Sequence, residues 1–104
     1  MIRYILEEGV LLECIEGSVI LSNAKLGVVV YGNKSTYDVA ALLNTEICLE
    51  EIIERLQGQY KGRKQDEIQA GVEFTLKWLT EHRLVRICKA MKQSLRIEVD
   101  SYGM

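Results

Sequence analysis

Residues 71–85 read GVEFTLKWLTEHRLV, and the fold turns on how this stretch is read. Place it on an α-helix at about 100° per residue, with Val72 at zero. Ile68, Leu76 and Leu79 then fall within about 40° of Val72. These four residues form one apolar stripe, suited to a core. Phe74 falls at about 200° and Trp78 at about 240°, off that stripe. Gly71 near 260° and Thr75 near 300° lie between the two sets. The reading is a helix with a core face and a separate aromatic flank. Gly71 has no side chain, so another backbone can approach the flank there. The helix is expected from about Gln65 to His82, with LVRICKA after it as a strand.

Two shorter helices precede it. In LEEIIERLQGQY, Leu49, Ile52, Ile53, Leu56 and Tyr60 fall at helical spacing, and Glu50 and Glu51 sit where the helix dipole favours acid. Gly58 marks the end or a loosened last turn. In TYDVAALLN, Val39, Leu42 and Leu43 supply an apolar face, Ser35 with Asp38 reads as a capping box, and Asn44 as a stop. The segment KGRKQDE is a polar, basic linker.

The first third reads as strands. VLLECIE and SVILSN flank Gly17-Ser18, a two-residue hairpin signal. LGVVVYG (26–32) is a third, β-branched run, apolar without alternation. Such a strand is either central or has a partner covering its second face. Its place as third in a meander puts it at an edge, where backbone N–H and C=O groups are unpaired. Near the end, SLRIEV (94–99) alternates Leu95, Ile97 and Val99 with Arg96 and Glu98, a half-buried strand pattern, before a loose DSYGM tail. The expected fold is α+β and winged helix-turn-helix-like. A three-stranded antiparallel β-meander is followed by three helices, with one or two further C-terminal strands. Residues 1–104 form a single domain with no internal repeat.

Composition narrows the function. Of 104 residues, 48% are hydrophobic and 27% charged, so an ordinary small core is available. There is no proline, which leaves the turns to Gly, Asn, Ser and Asp. The net charge of −2 is unevenly placed: 4 Lys/Arg against 9 Asp/Glu in residues 1–60, then 9 against 6 in residues 61–104. The acidic first half argues against general nucleic-acid affinity. Cys14, Cys48 and Cys88 are far apart and odd in number, so neither a disulfide framework nor a zinc site is expected. No apolar run reaches the roughly 18–20 residues of a membrane span, and a cytoplasmic location is expected.

Catalytic chemistry has little support. The single histidine, His82, stands at a helix end between Glu81 and Arg83, where the dipole favours its charge. No nucleophile elbow, P-loop or dinucleotide-binding glycine pattern occurs. Glu46, Glu50, Glu51 and Glu54 read as a solvated helix face. A binding role fits better. An extended peptide adds to an apolar strand edge by main-chain hydrogen bonds and drops alternate side chains beside an aromatic helix flank. The candidate contacts are Val28, Val30, Phe74 and Trp78, with Leu26 and Gly71 shaping the groove. A plainer reading packs Phe74 and Trp78 against residues 94–99 of the same domain. Lys61, Arg63 and Lys64 read as a solvated loop or as steering charges for an acidic peptide.

The run ICLEEIIERLQGQYKGRKQDEIQAGVEFTLKWLTEHRLVRI resembles the second half of the PqqD-like family. Glu51-Ile52, Leu56, Tyr60, Val72, Leu76, Leu79 and Leu84-Val85 fall on that family's hydrophobic pattern, and LLECIEGSVILSN resembles its opening hairpin. The resemblance covers about residues 10–87 and leaves 88–104 as an extension. It departs at Arg83, where the family often has Gly, and at Tyr31-Gly32-Asn33, a loose match to the family's Leu-Asn. It implies a RiPP recognition element, a non-catalytic module that binds the leader of a ribosomally synthesised precursor peptide. The module presents the leader to a modifying enzyme, often a radical S-adenosylmethionine (radical SAM) maturase that crosslinks the peptide or excises backbone. The family's leader adds to the third strand and packs on the third helix, here residues 26–31 and 65–82. No cofactor is implied for this chain, which lacks the cysteine trio of a radical enzyme. Two other readings remain. One is a winged-helix DNA-binding regulator, although Glu73, Phe74, Lys77, Trp78 and Glu81 make a poor base-reading set. The other is a homodimerising interaction domain.

Overall fold

The computed structural model describes residues 2–89. Its strands are β1 (Ile2–Leu6), β2 (Val10–Ile15), β3 (Ser18–Asn23), β4 (Val28–Gly32), β5 (Ile47–Cys48) and β6 (Val85–Lys89). Its α-helices are α1 (Lys34–Ala40), α2 (Leu49–Gln59) and α3 (Gln65–Glu81), with a 3-10 turn at Ala41–Asn44 after α1. The fold is α+β and winged helix-turn-helix-like. A three-stranded antiparallel meander, β2-β3-β4, carries the helices, and further strands form a second sheet. The expected strand at 94–99 lies outside the described residues.

The meander follows from its turns. Glu16 at φ 49° and Gly17 at φ 84° make the two-residue link, and Ile15 faces Ser18 across it. Positive φ at both central residues is the type I′ geometry, whose twist matches that of the strands. The turn thus sits one residue before the expected Gly17-Ser18, and Ser18 opens β3. In β4 the pairing Leu21↔Val30 sets the parity. Val19, Leu21 and Val30 enter the core, while Val29 and Tyr31 stay exposed.

Asn33, not Ser35, caps α1. Its side-chain oxygen accepts from the Thr36 backbone N–H at 3.1 Å, and the Thr36 hydroxyl accepts from the Asn33 N–H at 3.3 Å. This reciprocal pair satisfies two end groups that Ser35 and Asp38 were expected to serve. Asp38 instead is buried, ion-paired to Lys34 Nζ at 3.2 Å, and accepts a hydrogen bond from the Tyr60 hydroxyl. The cap leaves no room beside it: a Cβ on Gly32 would stand 2.6 Å from Thr36 Oγ1 and 2.7 Å from its Cβ. Gly32→Ala should therefore cost about 1–3 kcal/mol in chemical denaturation, from overpacking and a displaced cap.

Helix α2 runs through Gly58 to Gln59 rather than stopping there, because Gly58 is exposed and interior glycine costs only about 1 kcal/mol. At its start Glu51 closes a second reciprocal cap. Its Oε1 accepts from the Cys48 backbone N–H and from the thiol, both at 3.3 Å. These bonds hold the Glu51 carboxyl below the usual glutamate range, with Arg3 and Arg55 adding to the effect.

Helix α3 ends in a Schellman arrangement. The Leu84 N–H reaches the Leu79 carbonyl at 2.9 Å and the Arg83 N–H the Thr80 carbonyl at 3.0 Å. The geometry places Arg83 at φ 62°. A left-handed residue at this position is ordinarily glycine, since a Cβ is strained there. Arg83→Gly should raise the unfolding free energy by about 1 kcal/mol. The turn also buries both Leu79 and Leu84 at the core and sends the chain into β6.

The second sheet has the order β5-β1-β6. β1 pairs antiparallel with β6 from Ile2↔Lys89 to Leu6↔Val85, and with β5 at Arg3↔Cys48 and Tyr4↔Ile47. Neither β1 nor β5 was expected. IRYIL carries the β-branched and aromatic signal of a strand, but its main partner, β6, lies 79–87 residues further along the chain.

Candidate functional site

The wheel positions on α3 translate into graded burial. Ile68, Val72, Leu76 and Leu79 are buried, and so is Thr75. The core wedge therefore turns past Val72 toward Trp78, which is half-buried and packs on the core's rim. Trp78 also lies against the His82 ring, with centroids 5.2 Å apart. Phe74, one position further round, is left 72% exposed. A phenyl this exposed adds little to the core and is open to contact from outside the domain.

Beside Phe74 lies a groove of about 270 Å³ between α3 and α1. Buried Val39, Leu56, Ile68 and Val72 form its floor. Gly71 also lines it, and with no side chain there the helix backbone comes to the groove's surface. Tyr60 and Arg63 stand on the α2 side, with the Arg63 guanidinium 5.5 Å from the Tyr60 ring centroid. That cation–π contact and the Tyr60–Asp38 hydrogen bond fix the wall. Asn33 and Thr36 line the opposite end, and Asn33 directly follows β4. The groove thus opens where β4 ends.

β4 is an edge strand. Only β3 pairs with it among the described residues, so one side of its backbone is free. Of the residues expected here, Val30 is buried and Val28 is half-buried against the core. Val30 therefore has only its backbone to offer at the edge. Leu26 lies in the turn before β4 and is exposed. Gly71 and Phe74 are brought together on the groove, whereas Trp78 is not among its lining residues. Sequence reading missed Tyr60, Asn33 and Thr36 as lining residues, and Val29 and Tyr31 as the outward side chains of β4. An all-apolar strand hides its parity until a partner strand fixes it.

Nothing here suggests a metal centre: among the described residues no group of three or more His, Cys, Asp or Glu is placed to hold an ion. No described helix is long and apolar enough to cross a membrane.

No family model and no curated protein matches the chain. Among solved structures it is similar to TbiB1 in complex with the TbiA(beta) leader peptide. The TM-score is 0.68 at 17% identity, over 79% of this chain and 94% of that one. At that identity the likeness is one of fold.

Proposed function

We propose that this protein binds the leader region of a ribosomally synthesised precursor peptide and presents it to a separate peptide-modifying enzyme. The observation that carries the reading is the free β4 edge opening into an apolar groove rimmed by an exposed phenylalanine. A strand edge supplies sequence-tolerant hydrogen bonds, and the groove beside it supplies selectivity. The fold likeness to TbiB1, a protein seen with a leader peptide, supports the same reading. So does the PqqD-like spacing of Leu56, Tyr60, Val72 and Leu76. In this proposal the leader adds to β4 and passes over Gly71 and Phe74. Val28, Val30 and Leu26 supply the strand edge and its approach, and Trp78 extends the aromatic flank one helical turn beyond Phe74. The chain acts without chemistry of its own, and a radical SAM maturase is the proposed partner class.

The test is fluorescence polarisation with a labelled leader peptide, encoded in the open reading frame next to this gene. Saturable binding at micromolar concentration or tighter, insensitive to an added DNA duplex, is the expected result. Failure to bind any neighbouring leader, alone or with the adjacent enzyme, would sink the proposal. Salt-dependent binding to the duplex instead would favour the regulator.

A further inference from the structure

The core and the groove use one face of β4, yet its other face is apolar too. Val29 and Tyr31 point away from the core and are 56% and 69% exposed. Each ends a row across the meander: Leu11–Ser22–Val29 and Glu13–Ile20–Tyr31. Ile20 shows what a place inside such a row does. It lies on the same outer face, but with Glu13 on one side and Tyr31 on the other it is half-buried. Val29 and Tyr31 have a neighbour on one side only, because β4 is the edge among the described residues. The solvent side of an antiparallel sheet is ordinarily polar. Here the rows end in valine and tyrosine, residue types that pack well against a cross-strand partner.

We propose that Val29 and Tyr31 read a second set of leader side chains, on the face away from the groove, and that they select a leader with β-branched or aromatic residues there. The inference rests on the leader adding to β4. A strand sends successive side chains to opposite faces. If one set of leader side chains turns toward the Phe74 groove, the residues between them fall beside Val29 and Tyr31 and lengthen both rows by one. Alternation does not depend on strand direction, so a parallel and an antiparallel leader give the same result. An apolar leader side chain beside Tyr31 would cover that ring as Tyr31 covers Ile20.

The selected peptide is therefore not a simple alternating strand. A leader read by the groove alone needs apolar groups at every second residue. A leader read on both faces of β4 needs them at consecutive residues where it passes Val29–Tyr31. One favourable cross-strand pair is worth a factor of about 1.4–5 in affinity over alanine, and two pairs about two- to thirtyfold.

The test is polarisation titration of the labelled leader peptide from the neighbouring open reading frame, with the full chain and its Val29→Ser/Tyr31→Ser variant. The variant should bind about fivefold or more weakly. Its circular dichroism spectrum should be unchanged, since both side chains are exposed. Single lysine replacements along the leader should weaken binding at consecutive residues where it crosses β4. Tyr31→Lys should weaken binding of the natural leader, and a leader with glutamate opposite that lysine should restore it, a rescue that a merely structural Tyr31 would not permit. Parent-like affinity in the folded double variant would overturn the proposal. So would a leader sensitive only at every second residue, or a glutamate leader that fails to rescue Tyr31→Lys. A parent that binds no leader would instead sink the leader-binding reading itself.

Discussion

Phe74→Ala should weaken leader binding by about tenfold or more, roughly 1.4 kcal/mol, while leaving the folding free energy within about 0.5 kcal/mol of the parent. The two halves have one cause. At 72% exposure the ring adds little to the core, so its removal leaves no cavity. Its position on the rim of the α1–α3 groove lets a bound peptide cover it, and a newly buried aromatic is a typical anchor. Polarisation titration and urea denaturation, run on the same two proteins, separate the effects. A variant that binds as tightly as the parent removes Phe74 from the site. Trp78→Ala is the informative contrast. That ring is half-buried and packed on the core's rim, so its truncation lowers stability as well, and any binding loss has two sources.

The pair also shows where sequence reading stopped. Helical periodicity separated Phe74 and Trp78 from the core stripe, because Val72, Leu76 and Leu79 sit far from them on the wheel. It did not separate the two aromatics from each other. That depended on Thr75, a residue of neutral propensity, being drawn into the core and carrying the buried arc toward Trp78. The β-meander and the helical trio were legible because each is built from local contacts and local turns. β1 and β5 were not, since a strand's existence depends on a distant partner. The cap of α1 was misread for a subtler reason. Asn33 and Ser35 both qualify as caps by type. The choice fell to Asn33 because Gly32, bare of a Cβ, lets Thr36 fold back over it. Arg83 went the other way: at φ 62° it stands where such a turn ordinarily has glycine, and the Schellman turn accommodates it at a cost in strain.

Leu79→Ala should be the most damaging single substitution on α3, costing about 2–5 kcal/mol of folding free energy. Leu79 is fully buried, and its carbonyl accepts the bond that closes the helix end. Losing its side chain removes contacts with the core and with Leu84 in the same turn. A domain of this size has about 5–15 kcal/mol of stability in all, so the variant loses a large fraction of it. Its binding defect should nevertheless differ in kind from that of Phe74→Ala. The groove surface is intact in every folded molecule, so the leader selects the folded fraction and pulls the equilibrium toward it. Leader at about 100 times its Kd should return roughly 2.7 kcal/mol of apparent stability to Leu79→Ala, measured as a rise in its denaturation midpoint. The same leader concentration returns less to Phe74→Ala, because there the affinity itself has fallen. If the leader fails to shift the Leu79→Ala midpoint while binding the parent tightly, the folded states of the two proteins present different grooves. The site would then depend on α3 packing rather than on the exposed rim alone.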